Sequence, residues 1–170
     1  NLERNLYLVS QILDLGLPTI VALNMMDLAA ANGLRIAVAA LAERLGVPVI
    51  PCQANSGQGL VELRLAMSRP DLAAPARPVW QVPAEVAPAV AELVEVIARC
   101  EGRGEAAARA EALLLLGDRE SLTLAGTPIA PAVLAVADRW EAKWRAADCD
   151  WRGALVAARY EAVSGFVREV

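Results

Sequence analysis

The sequence contains no histidine, and this absence removes several kinds of chemistry at once. Without an imidazole, the chain has no serine–histidine catalytic pair and no metal site built on histidine ligands. The three cysteines, Cys52, Cys100 and Cys149, are far apart in the chain, so there is no CxxC pair and no even-numbered disulfide framework. A reducing compartment is the simplest interpretation.

Basic residues are in the minority, and long apolar runs are missing. The formal net charge is −4, which argues against a nucleic-acid partner because nucleic-acid surfaces need basic patches. No stretch approaches the roughly 20 apolar residues of a membrane span. The start of the chain, Asn1-Leu2-Glu3-Arg4, is polar and acidic where a signal peptide is basic and then apolar. We therefore expect a soluble, cytoplasmic chain.

Aromatic residues are also scarce, at 4% of the chain, whereas hydrophobic residues make up 56%. Such a chain is too apolar to be disordered, and Ala, Leu and Val must build its core. Ala and Leu lose little side-chain freedom in helices, so this composition favours helical structure.

Residues 1–68 alternate helix-like and strand-like segments. Hydrophobic periodicity predicts helices over 2–15, 37–45 and 59–68. The short apolar run Thr19–Leu23 predicts a strand buried on both faces, and Val47–Ile50 predicts a second strand. Helix, strand, helix, strand, helix is the order of a parallel α/β sheet covered by helices.

The pattern changes at Arg69. Four prolines within fourteen residues predict a linker over 69–84. Beyond it, residues 85–170 are predicted to be an all-α bundle, with a break between helices at Gly126-Thr127-Pro128 and with helices at 85–100, 105–116, 131–147 and 151–170. Trp140 and Trp144 are four residues apart, and we expect them to pack a helix seam.

The clearest chemical signal directly follows the first predicted strand. Asn24 and Asp27 lie three residues apart after Leu23, at the strand end where open α/β sheets bind ligands. A carboxylate that accepts two parallel N–H bonds can select guanine over adenine, because guanine offers a ring N–H beside an exocyclic amine. The alternative is structural, since Asp27 can simply cap a short helix that runs through Ala31.

A second loop occupies the equivalent position after the second predicted strand. It contains Gln53-Ala54-Asn55-Ser56-Gly57, and its backbone N–H groups can meet the guanine carbonyl. The neighbouring Gly57-Gln58-Gly59 is interpreted as the start of a helix and not as a phosphate cradle, because no strand–glycine–helix–lysine context surrounds it.

Several stretches resemble the cytoplasmic G domain of the bacterial ferrous iron transporter FeoB family. They are Asn1-Leu2-Glu3-Arg4-Asn5-Leu6-Tyr7-Leu8, Gly16-Leu17-Pro18, Val21–Asp27, Leu45–Pro51 and Gly57-Gln58-Gly59-Leu60. Most guanine motifs have Lys directly after the Asn, whereas Met in that place, as Met25 is here, is typical of this family. The resemblance is strong over residues 1–68 and looser beyond them, to Ala158-Arg159-Tyr160, which looks like the close of the family's helical spacer.

The resemblance implies a fold and a nucleotide site. The fold is the C-terminal half of a P-loop-GTPase-like parallel sheet over 1–68, followed by the linker at 69–84 and a helical spacer at 85–170. Asp27 would bind the Watson–Crick edge of guanine, Asn24 would contact the ring and tie the base loop to the phosphate loop, and Met25 would lie over the base face. Gln53, Ala54 and Asn55 would form the fifth guanine-nucleotide motif, with the Ala54 amide on the base carbonyl and Gln53 in place of the usual Ser.

The phosphate half of such a site has no counterpart in these residues. There is no GxxxxGK[ST] motif, and the single lysine, Lys143, lies in the helical half. We therefore expect GTP or GDP as the ligand but no catalytic residue, no metal ligand and no GTP hydrolysis by this chain alone. The resemblance implies that Mg²⁺ comes with the remainder of the G domain, and that a membrane permease at the cytoplasmic face of the inner membrane is a further partner.

The alternative function is a helical interaction or scaffold protein with a degenerate half G domain and no nucleotide affinity. An unpaired sheet edge would also make a homo-oligomer possible. The acidic residues Glu85, Glu92, Glu95, Glu101 and Glu105 are interpreted as solvated helix faces and not as a metal site.

Two further polar or sulfur-containing positions have structural interpretations. Cys52 is expected to be a small buried residue at a strand end. In Asp148-Cys149-Asp150, we expect Asp150 to cap the following helix.

Overall fold

A computed structural model describes residues 2–124, 126 and 128–169 of the chain. Asn1, Thr127 and Val170, which belong to predicted segments, lie outside the described residues. The chain divides into two compact units, one formed by Asn1–Trp80 with Glu161–Val170 and the other by Gln81–Tyr160. The sequence boundaries at 68 and 85 stay predictions.

The first unit alternates helices and strands as predicted. Its elements are α1 (Leu2–Asp14), β1 (Val21–Leu23), α2 (Met26–Ala31), α3 (Val38–Leu45), β2 (Val49–Pro51) and α4 (Leu60–Met67). The three predicted helices and both strands are therefore confirmed, with ends that differ by one or two residues. The short helix α2 was foreseen only in the capping alternative.

The two strands form a parallel sheet, in which Val21 pairs with Val49 and Leu23 with Pro51. The prediction that the first strand is buried on both faces is wrong. Leu23 is buried, but Ala22 is exposed, and neighbouring side chains of a strand point to opposite faces. Among the described residues, the sheet therefore buries one face of β1.

The core of the first unit gathers apolar residues from helices and strands. Its buried members are Leu6, Leu13, Leu23, Leu41, Leu45, Val47, Val49, Val163 and Phe166. The last two come from α9 (Trp151–Glu169), whose second half belongs to this unit. At the end of α1, the indole N–H of Trp80 donates to both carboxylate oxygens of Asp14, at 3.1 and 3.2 Å.

The second unit is entirely helical in its described part. It contains α5 (Ala87–Glu101), α6 (Glu105–Gly117), α7 (Arg119–Leu124), α8 (Pro131–Ala146) and the first half of α9. The four predicted helices are confirmed. Asp150 caps α9 as predicted, because its Oδ1 accepts from the N–H of Gly153 at 2.9 Å.

Helix α7 was not predicted. Asp118 precedes it and accepts from the N–H and the hydroxyl of Ser121, at 3.2 and 2.6 Å. This arrangement is a side-chain cap at the start of a helix. The Asp-x-x-Ser spacing was the overlooked signal, and the six-residue length of α7 leaves too little periodicity to detect.

The tryptophans pack a helix seam, as the sequence predicts. The ring centroids of Trp140 and Trp144 are 5.6 Å apart, and Trp144 stacks on Trp151 at 5.2 Å. The indole N–H of Trp151 donates to the carbonyl of Leu116 at 3.0 Å, so the buried polar atom is satisfied. Of the helices described, none is both long enough and apolar enough to cross a lipid bilayer.

Candidate functional site

Two loops meet at the carboxyl ends of β1 and β2. Because the strands are parallel, residues that follow Leu23 and residues that follow Pro51 emerge at the same edge of the sheet. Backbone bonds join the loops: the N–H of Cys52 donates to the carbonyl of Leu23 at 2.8 Å, and the N–H of Met26 donates to the carbonyl of Cys52 at 3.4 Å. The peptide groups of Cys52 therefore bridge the two loops.

Side chains of the predicted site extend this connection. The side-chain oxygen of Asn24 accepts from the backbone N–H of Ala54 at 3.1 Å. The side-chain amide of Asn55 lies 3.5 Å from Oδ2 of Asp27, which makes a long hydrogen bond. Four of the six predicted residues are thus in direct contact across the two loops.

The backbone amide of Ala54 makes a hydrogen bond within the protein. This amide, assigned by resemblance to the base carbonyl, is engaged by Asn24. The next amide along the chain, that of Asn55, has no acceptor within the part of the chain that the structure describes, and Asn55 is exposed. The Asn55 amide is therefore open to an incoming acceptor, while the assignment of the Ala54 amide to the base carbonyl stays a prediction.

Met25 has an unusual backbone conformation. Its φ of 64° and ψ of 36° place it in the left-handed region, and it occupies the N-cap position of α2 without a side-chain cap. The alternative in which Asp27 caps this helix is therefore wrong, because Asp27 lies within the first turn. A non-glycine residue at positive φ is uncommon, and such strain occurs often at functional sites. The Met25 side chain is 57% exposed beside the site.

Gln53 makes its hydrogen bonds within its own loop. Its N–H donates to the carbonyl of Gln58 at 2.9 Å, and its backbone and side-chain oxygens accept from the hydroxyl of Ser56 at 3.2 and 3.3 Å. These bonds close a compact loop over residues 53–58. Gln53 thus shapes the loop that presents the Asn55 amide.

The charge of the site suits a neutral, donor-rich ligand. Neither 24–27 nor 52–59 contains a Lys or an Arg, and Asp27 is the one charged residue in these two segments. An exposed carboxylate with no basic neighbour in its loop would repel a phosphate but can accept N–H bonds from a heterocycle. The geometry therefore favours a nucleobase edge with two adjacent N–H donors.

Two of the other sequence candidates, Cys52 and Glu92, have contacts or burial that the structure describes. Cys52 is 3% exposed at the end of β2, so the prediction of a buried residue is confirmed. Glu92 is not simply solvated, because it accepts from the indole N–H of Trp140 at 2.8 Å and pairs with Arg139. No group of three acidic, cysteine or histidine side chains placed to hold a metal ion occurs among the described residues.

One cluster in the second unit contains a carboxyl group, that of Glu111, whose pKa is raised. The Nε of Arg103 lies 2.8 Å from carboxylate oxygens of both Glu101 and Glu111. Burial nevertheless raises the pKa of Glu111, with a further contribution from the nearby Glu101, and these effects outweigh the opposing charge of Arg103. No ligand role follows from this cluster.

Gly59 makes a close approach to the end of β2 that sequence analysis missed. The interpretation of Gly57-Gln58-Gly59 as a helix start is confirmed, because Gly59 occupies the N-cap position of α4 with a φ of 80°. Its contact with the strand end before Cys52 is not visible from the sequence, although a second glycine two residues after Gly57 was a signal.

Comparisons with known proteins by sequence and by structure cover different shares of the chain. Residues 1–67 match the family model FeoB_N, described as ferrous iron transport protein B. The Fe(2+) transporter FeoB of Escherichia coli (strain K12) is 55% identical over 69 residues, which are 41% of this chain and 9% of that protein. This chain therefore spans less than a tenth of the length of the curated relative it matches.

Solved structures match over nearly the whole chain. The cytosolic domain of L. pneumophila FeoB is 26% identical, with a TM-score of 0.78, and the match covers 100% of this chain and 63% of that one. A variant of S. thermophilus NFeoB bound to GDP and AlF4⁻ is 27% identical, with a TM-score of 0.78, over 98% of this chain and 64% of that one. The comparisons support a relationship to the FeoB N-terminal G-domain family, through the sequence of residues 1–67 and the fold of the chain as a whole.

Proposed function

We propose that this chain recognises the guanine base of GTP or GDP, as part of the cytoplasmic nucleotide-binding domain of a ferrous iron transporter. The observation that carries the proposal is the meeting of two loops at the ends of parallel strands, where Asn24 bonds to Ala54 and Asp27 lies beside Asn55. Fold relatives bound to GDP support the same assignment.

Each site residue has a role in this proposal. Asp27 accepts the ring N–H and the exocyclic amine of guanine, which together distinguish guanine from adenine. The Asn55 amide donates to the base carbonyl, while Asn24 holds Ala54 and so fixes the loop that carries that amide. Met25 covers the base face with its flexible apolar side chain.

Gln53 completes the site from within the second loop. Its bonds to Gln58 and Ser56 keep the loop closed, so its part is to present the neighbouring amides and not to contact the base. This assignment places Gln53, Ala54 and Asn55 together as the fifth guanine-nucleotide motif.

The remaining parts of the proposal rest on the family. The phosphate-binding groups and Mg²⁺ belong to the remainder of the G domain, and the permease lies in the membrane with this chain on its cytoplasmic face. Residues 85–170 act as the helical spacer that modulates nucleotide release, and residues 69–84 link it to the base-recognition part.

The test is a titration of the ¹⁵N-labelled chain with GDP and with ADP at millimolar concentrations, followed by NMR. We expect GDP to shift the amides of 24–27 and 53–56 and to bind about tenfold more tightly than ADP, since paired base contacts are worth about 1–3 kcal/mol. Asp27→Ala should abolish the preference. The matched control Asp71→Ala should keep it, because Asp71 is exposed and pairs with Arg69 outside the site.

Equal shifts with GDP and ADP, or none with either nucleotide, would contradict the proposal. The absence of any guanine preference would favour the scaffold alternative.

A further inference from the structure

Gly59 approaches the end of β2 more closely than any other residue type could. A Cβ built at this position would lie 2.2 Å from the carbonyl oxygen of Pro51, 3.1 Å from Cα of Cys52 and 3.2 Å from its Sγ. The first of these neighbours is backbone and cannot rotate away. Gly59 also has a φ of 80°, where glycine alone is unstrained.

The peptide group that Gly59 contacts is one of the two that join the loop after β1 to the loop after β2. It links Pro51, the last residue of β2, to Cys52, and its N–H, that of Cys52, donates to the carbonyl of Leu23. The carbonyl of Cys52, in the next peptide group, accepts from the N–H of Met26. Ala54, the partner of Asn24, follows two residues later. A displacement of this peptide group therefore moves both loops relative to each other.

The sulfur of Cys52 fills the space beneath this contact. Its S–H lies within weak hydrogen-bond distance of the carbonyls of Ile50, at 3.4 Å, and of Gly59, at 3.8 Å. Cys52 is buried, and its sulfur occupies the space on that side of the contact into which a new methyl group could move.

We propose that Gly59 is a positioning residue for guanine recognition. Its Cα packs against the Pro51–Cys52 peptide and so fixes the position of the loop after β2 relative to the loop after β1. In that position Ala54 reaches Asn24, and the Asn55 amide points to the base carbonyl. This inference rests on the proposed function for its ligand, but its geometric part concerns the free protein.

Gly57 provides a matched control within the same loop. Its φ is 79°, almost equal to that of Gly59, but a Cβ at Gly57 would meet no atom within 4 Å. Alanine at either position carries the same cost of positive φ. Only Gly59→Ala adds a collision with the strand end, so the difference between the two variants isolates the close approach.

The first measurement is amide hydrogen exchange in the free chain. In the wild type, we expect the amides of Cys52, Ala54 and Met26 to exchange at least about tenfold more slowly than an unstructured peptide, because they open together. Gly57→Ala should retain this protection, and Gly59→Ala should lose it while the core amides of Leu41 and Leu45 stay protected.

The second measurement compares GDP with 6-thio-GDP, which differs only in the atom that replaces the base carbonyl oxygen. If the Asn55 amide donates to that oxygen, the wild type and Gly57→Ala should prefer GDP about fivefold, as expected for one hydrogen bond. Gly59→Ala should lose this preference. A purely structural role would weaken the binding of both nucleotides equally and leave their ratio unchanged.

The outcomes separate this inference from the proposed function. If the wild type binds no guanine nucleotide, the proposed function fails, while exchange in the two variants still tests the close approach. Equal protection of Ala54 and Met26 in Gly57→Ala and Gly59→Ala overturns the inference, as does an unprotected Ala54 amide in the wild type. If Gly59→Ala fails to fold, the wild-type measurement still tests the inference, because an unprotected Ala54 amide overturns it.

Discussion

The side-chain oxygen of Asn24 accepts a hydrogen bond from the backbone N–H of Ala54, at 3.1 Å and across 30 residues of sequence. Both residues are exposed, so this bond is not a requirement of core packing. It fixes the second loop relative to the first, at the edge where the strands end. The recognition role proposed for Asp27 and Asn55 depends on that fixed spacing.

Replacement of Asn24 tests this connection. Asn24→Ala removes the acceptor and should expose the Ala54 amide to exchange and weaken GDP binding about fivefold, the typical effect of one hydrogen bond. Asn24→Asp keeps an oxygen at the same place and should retain the protection of the Ala54 amide. NMR-detected exchange checks both variants, and full protection in Asn24→Ala would show that other contacts hold the loop.

The backbone conformation of Met25 leads to a stability prediction. A β-branched side chain is strongly disfavoured at positive φ, so Met25→Val should lower the free energy of unfolding by about 1 kcal/mol relative to Met25→Leu. Met25→Gly carries no strain at positive φ, so its free energy of unfolding should be at least that of the wild type. Urea unfolding measures all three, and equal stability of the Val and Leu variants would contradict the left-handed assignment.

The elements of the first unit were predictable because their apolar residues repeat at helix or strand spacing. Leu6 and Leu13 of α1, for example, are both buried in its core. The exposure of Ala22 was not predictable, since a continuous apolar run looks the same whether one or two faces of its strand are covered. Helix α7 was missed because six residues show too little helical periodicity, so that its side-chain cap was the remaining signal.

The meeting of the two loops was predictable, but the contacts between them were not. Asn24 and Asp27 were found from their place after an apolar run, and their partner loop from its equivalent place. The engagement of the Ala54 amide by Asn24 depends on distances that no spacing rule supplies. The same holds for Gly59, because the collision of a Cβ with the Pro51 carbonyl exists only in three dimensions.

The buried carboxyl of Glu111 should make stability depend on pH. Burial raises its pKa above the value in the unfolded chain, so the folded state binds the proton more tightly. The contribution of this group to the free energy of unfolding is therefore fully present below the unfolded pKa and is lost as the pH rises through the folded pKa. Glu111→Gln should gain stability relative to the wild type as the pH rises from 4 to about 7.

Urea unfolding of the wild type and Glu111→Gln across this range measures the difference. The control is Glu105→Gln, which lies exposed on the same helix and should show no such trend. A gap between Glu111→Gln and the wild type that does not widen with pH would contradict the raised pKa.

The isolated chain should bind guanine nucleotide without hydrolysing GTP. Its sequence contains no GxxxxGK[ST] motif, so it lacks the backbone cradle and lysine that stabilise a transferring phosphoryl group. Incubation of the pure chain with GTP and Mg²⁺, followed by chromatography of the nucleotides, should show no GDP above the protein-free control. Mg²⁺-dependent turnover that follows the protein concentration would contradict this prediction.

The most direct test of guanine recognition is a change of base preference by one atom pair. Asp27→Asn replaces one carboxylate oxygen by an amide donor, which suits xanthine because xanthine has a carbonyl where guanine has its exocyclic amine. Paired titrations with GDP and xanthosine diphosphate measure the preference. We predict that the wild type prefers GDP and that Asp27→Asn prefers xanthosine diphosphate; an unchanged ratio of the two affinities would contradict the assignment of Asp27 to the base.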